Sequence, residues 1–103
     1  MARAGFFGHG TLAGLSIQAR LLGYYPAAGY GFWEVGENLA WATPELSAGR
    51  MLRLWLRSPE HRANLLLASW REIGIGVVHV GSAPGVFGDL PATIVTVDFG
   101  ARR

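Results

Sequence analysis

A chain of 103 residues, half of them hydrophobic and 16% charged, has the composition of one packed domain rather than of a disordered segment. Its nine basic residues are all arginine and leave a net charge of +2, too small and too scattered to mark a nucleic-acid surface. The absence of cysteine removes disulfides, thiolate metal sites and cysteine nucleophiles, and no apolar run is long enough for a membrane span.

Residues 5–15 read as a Gly-rich loop with Phe6, Phe7 and His9 near its start. Ser16 is placed to cap a short helix over 17–22, which Gly23 ends. Residues 24–32 form a loop rich in aromatics, and 33–41 read as extended or irregular. Tyr24, Tyr25, Tyr30, Phe32 and Trp33 bracket that loop. They can line a groove for an apolar or peptide ligand, although core packing is their default role.

Thr43-Pro44-Glu45 has the pattern of a helix start and predicts a helix over 44–57. Within it Ala48, Met51, Leu52 and Trp55 share one stripe, the expected core face. Arg50, Arg53 and Arg57 share another, which reads as a solvated face. Ser58-Pro59-Glu60 repeats the start pattern, with Ser58 as the cap of a second helix carrying His61 to Leu66. The capping reading outweighs a Ser58–His61 nucleophile pair, because no nucleophile-elbow sequence surrounds it.

Beyond residue 72 the period changes to that of a strand, with Ile73, Ile75 and Val77 alternating with Gly74, Gly76 and Val78. Residues 81–91 form a Gly/Pro loop. A second strand over 92–100 puts Thr93, Val95, Val97 and Phe99 on one side, and Ile94, Thr96 and Asp98 on the other. The two strands form a long-loop hairpin, and a few helices around a mostly antiparallel sheet make the class α+β.

Two runs stand apart from this pattern: Gly36-Glu37-Asn38-Leu39-Ala40-Trp41 and Ser58-Pro59-Glu60-His61-Arg62-Ala63-Asn64-Leu65-Leu66. Each sets an ionisable side chain at a structured turn between apolar segments, where such a group usually has a use. On residues alone the plain readings stay open. Glu37 can simply accept backbone hydrogen bonds, His61 can bond a neighbour, and His9 can be solvated. Asn38 and Asn64 are suited to tying loops to the backbone.

Together the two runs resemble the signature of the CAP superfamily (cysteine-rich secretory, antigen 5 and pathogenesis-related proteins) in its bacterial SCP-like form. The resemblance spans nearly the whole chain and implies a single domain with a CAP-type α-β-α sandwich. It also implies that the family's first helix is missing, residues 1–5 resembling its tail, so that the chain is expected to be a fragment. In the relatives a cleft holds two histidines and two acids that can bind a divalent metal. His9, Glu37 and His61 match three of those positions. The fourth acid, expected about one turn after the helix tryptophan, is absent, since Leu56, Arg57 and Ser58 follow Trp55.

A set of two imidazoles and one carboxylate suits Zn²⁺ or another divalent cation and leaves a position open for water or for a ligand carboxylate. The resemblance implies a secreted or envelope-located monomer that binds a small apolar, lipid or peptide ligand or an envelope component. The alternative is a metal-dependent, peptidase-like hydrolase using the same cleft.

Overall fold

The structure is a computed structural model and describes residues 1–3, 5–10 and 14–103. The predicted loop over 5–15 therefore lies partly outside the described residues, at 11–13. Helix α1 (Ile17–Leu22) forms where the capping pattern places it: Ser16 Oγ accepts the Ala19 N–H at 3.1 Å and Gly23 is the C-cap. Strand β1 (Trp33–Ala42) follows the aromatic loop, then helices α2 (Ala48–Arg57) and α3 (Pro59–Leu66). Strand β2 (Glu72–Ala83), a 3₁₀ turn (Gly85–Phe87) and strand β3 (Leu90–Arg102) complete the chain. The sheet is antiparallel in the order β1-β3-β2, so β3 is central and the class is α+β.

Four local expectations change. Residues 33–42 are a regular strand paired throughout with β3, so Glu37 lies in mid-strand and not at a turn. Helix α2 starts at Ala48, not at residue 44. Its cap is Ser47, whose Oγ accepts the Arg50 N–H at 3.2 Å. Leu46, one residue before the cap, is buried in the same cluster that Met51 packs against, the spacing of a hydrophobic staple.

The core stripe of α2 is narrower than its periodicity suggests. Trp55 is buried and Met51 half-buried, while Ala48 and Leu52 are exposed. The predicted loop over 81–91 is shorter, because β2 continues to Ala83 and the 3₁₀ turn buries Phe87 before β3 begins.

The core sits on both faces of β3. On one face Val95, Val97 and Phe99 pack with Ala40, Ala42, Leu46 and Trp55 beneath α2 and α3. On the other, Ala92 and Ile94 pack with Ala2, Ala83 and Phe87. Trp41 closes that second cluster, its ring edge-on to Phe87 at 4.9 Å between centroids.

Strand β1 is an edge strand, two of whose outward carbonyls are nevertheless satisfied by side chains. Trp55 Nε1 donates to Leu39 O at 2.9 Å, and Asn64 Nδ2 donates to Glu37 O at 3.2 Å. Gly36 lets Trp70 lie against the strand, since a Cβ there would stand 2.9 Å from the indole ring.

Candidate functional site

Successive side chains of a strand point to opposite faces, and this alternation divides the candidate residues. Asn38 faces the helices: its Nδ2 donates to His61 O at 2.9 Å, and its Oδ1 accepts from Asn64 Nδ2 at 3.1 Å. Both amides bond to backbone as expected, but they join helix α3 to strand β1 rather than tying loops. His61 is held on that same face, its ring stacked on Trp55 at 6.5 Å and its Nδ1 2.7 Å from Ser58 Oγ. Ser58 occupies the N-cap position of α3 but makes no side-chain cap hydrogen bond. Its hydroxyl serves the imidazole instead.

Glu37 points to the opposite face. Its carboxylate is fully buried, with Oε1 2.9 Å from His9 Nδ1 and Oε2 accepting from Arg20 Nη2. His9 thus reaches Glu37 from the N-terminal loop, and Arg20 reaches it from α1. Directly across the ladder, Asp98 of β3 is the register partner of Glu37. Tyr24, just after α1, donates its hydroxyl to Asp98 Oδ2 at 2.7 Å. The cluster is therefore His9, Arg20, Tyr24, Glu37 and Asp98, drawn from four segments of the chain.

Electrostatics follow from that crowding. Burial pushes the Glu37 carboxyl up to about 7, and its hydrogen bond with Asp98 acts in the same direction. The contacts from Arg20 and His9 oppose the rise without cancelling it. Near neutrality Glu37 consequently carries a proton in a substantial fraction of molecules. Asp98 Oδ1 is buried and meets no donor among the described residues. Two carboxyls that share a proton avoid the cost of burying two adjacent charges. Burial, then the Asp98 bond, pushes the Tyr24 hydroxyl up to about 12, so it stays a donor throughout the physiological range.

Of the three residues matched by resemblance, His9 and Glu37 meet and His61 lies across the sheet from the Glu37 carboxylate. Among the described residues no group of three His, Cys, Asp or Glu is placed to hold a metal ion. The donor set in this arrangement does not fit a divalent cation, because the Arg20 guanidinium already stands on Glu37 as its positive partner. Two members of the cluster, Asp98 and Arg20, were not singled out from sequence. Asp98 carried a usable signal, a lone acid in an apolar strand on the face predicted for Ile94 and Thr96. Arg20, the one charge in its six-residue helix, carried a weaker one.

Beside the cluster, and sharing only Tyr24 and Asp98 with it, a cavity of about 190 Å³ opens between the aromatic loop, β3 and β2. No family model, curated protein or solved structure matches the chain.

Proposed function

We propose that the chain is an SCP-like CAP domain, secreted or held at the cell envelope, that acts as a binding module through the His9–Arg20–Glu37 group. The family reading rests on the Gly36–Trp41 and Ser58–Leu66 runs, and the sandwich architecture follows from it. The observation that carries the binding reading is the wholly buried Glu37 carboxylate divided between His9 and Arg20. A buried acid fixed in this way orients two donors that are themselves accessible, the His9 side chain being 51% exposed. Donors oriented by a carboxylate that a strand fixes suit recognition of an acidic or polar group on an envelope component.

A metal-dependent hydrolase using the same cleft ranks behind this reading. It asks for an open ligand set, where here a guanidinium stands on the carboxylate.

Co-sedimentation of the protein with isolated peptidoglycan sacculi and with phosphatidylglycerol vesicles tests the proposal. His9→Ala and Arg20→Ala should each weaken the retained interaction by about tenfold, the equivalent of 1.4 kcal/mol. Undiminished binding by both variants, with the fold intact by circular dichroism, would remove this group from the interface.

A further inference from the structure

The cavity beside the cluster has a chemistry of its own. Leu21, Val35 and Phe99 contribute apolar wall, and Tyr24 and Tyr25 contribute aromatic surface. Gly100 lets the Tyr25 ring approach the sheet, since a Cβ on Gly100 would fall 2.6 Å from it. Gly74 leaves open space, with no atom within 4 Å of the position its Cβ would take. The volume exceeds the ~150 Å³ that holds benzene, so it admits a body of about eight non-hydrogen atoms.

The polar groups of the wall are one-sided. Tyr24 spends its hydroxyl proton on Asp98 at 2.7 Å, and Tyr25 spends its own on Glu72 at 2.9 Å. What these four side chains have left to offer a ligand is acceptors: carboxylate and phenolic lone pairs. Charge is unbalanced in the same sense. The lining includes two carboxyl groups, Glu72 and Asp98, and no basic side chain. An added positive charge would therefore meet acceptors without a competing cation in the wall.

The aromatic wall is also compatible with a cation, for Arg102 already lies 4.2 Å above the Tyr25 ring. We propose that this cavity binds a small organic monocation, an ammonium or amidinium group carried on a compact apolar body. Its apolar part fills the space over Gly74, and its charged end meets Asp98 and Glu72. The inference does not rest on the binding role of His9, Arg20 and Glu37, none of which lines the cavity.

The test is calorimetric and thermal-shift titration with phenethylammonium chloride, beside 2-phenylethanol and 3-phenylpropanoate as neutral and anionic probes of similar size. The ammonium should bind with a Kd of about 1 mM or tighter, reasonable for so few atoms, and should raise the melting temperature. Asp98→Asn should weaken it by about tenfold, a charge-assisted hydrogen bond being lost. Glu72→Gln, at a more exposed side chain, should weaken it in the same direction and serves if Asp98→Asn fails to fold. Gly74→Leu should fill the cavity and abolish binding while the protein stays folded.

Equal binding of the alcohol or the carboxylate would overturn the proposal. So would no ammonium binding up to about 20 mM, or full binding retained by Gly74→Leu.

Discussion

The two edges of the sheet are built to opposite plans. Strand β1 lies beneath α2 and α3, has the Leu39 and Glu37 carbonyls taken by Trp55 and Asn64, and carries the one completely buried carboxylate among the described residues. Strand β2 pairs equally well with β3, yet Ile73, Ile75 and Val77 are 62%, 66% and 62% exposed. Backbone pairing alone therefore does not make an edge part of the core. Side chains from a second layer do that, and among the described residues they cover β1 and the Val80–Ala83 end of β2 but leave Ile73, Ile75, Val77 and Val78 exposed. The buried charge follows the same division, because a charged group can be fixed only where packing over-determines its position.

Trp55 provides the sharpest way to break the comparison. It is 3% exposed, sits in the cluster with Val95, Val97 and Phe99, and donates to Leu39 O. Trp55→Ala should cost about 3–5 kcal/mol through the cavity and the lost hydrogen bond, measured as the shift in urea unfolding. Domains of this size are stable by only about 5–15 kcal/mol, so the variant should be close to unfolding at 37 °C. Ile75→Ala on β2 removes a smaller apolar side chain from an exposed position and should cost less than about 1 kcal/mol. Similar losses for the two would mean that β2 is covered in solution and that the edges are not different in kind.

A smaller effect is expected from protons. The folded-state pKa of Glu37 is about 7 against an ordinary value of 4.5, with burial the main cause. Between those values the folded chain holds a proton that the unfolded chain has released. Stability from this group is thus fully present below pH 4.5, falls as pH rises towards 7, and levels off above it. Glu37→Gln keeps a neutral, hydrogen-bonding side chain and should flatten that slope while the slope from the remaining groups persists. Urea midpoints at pH 5 and pH 8 for the two proteins give the answer. An identical pH dependence in both would mean that Glu37 is ionised at all these values.

Much of this organisation was legible in the sequence, and the failures have physical causes. Ser16 and Gly23 marked α1 correctly because capping is a local interaction that three or four residues decide. The β2–β3 hairpin was legible because alternation over many residues has one strand-like solution. The helix start at Thr43-Pro44 misled, since Ser47 and the Leu46–Met51 staple offer a second cap whose advantage is tertiary. Glu37 was singled out, but its partners could not be deduced from spacing. Whether a strand or a turn carries Glu37 decides which face it joins, and that choice separates it from His61. Asp98 entered only through the register that sets it opposite Glu37, and Arg20 only through the docking of α1 on that face.

The smallest effect sharpens the meaning of the exposed edge. From Ile73 to Ala83 strand β2 has no charged residue apart from the titratable His79, and no proline. Natural sheets usually guard an edge with charges, proline or bulges, because an apolar, unpaired strand is a template for further pairing. Ile75→Lys places a charge on an outward position with few neighbours to disturb. Its effect on unfolding free energy should stay within about 0.5 kcal/mol. Its effect on solubility should be larger and favourable, read as a higher concentration before light scattering rises. The register bulge between Val80 and Ala83 twists only the far end of the strand, so it leaves residues 73–79 unguarded. A loss of more than about 1 kcal/mol with no gain in solubility would place a second layer over Ile75 in solution. The contrast between the two edges would then lie in what covers each strand rather than in whether it is covered.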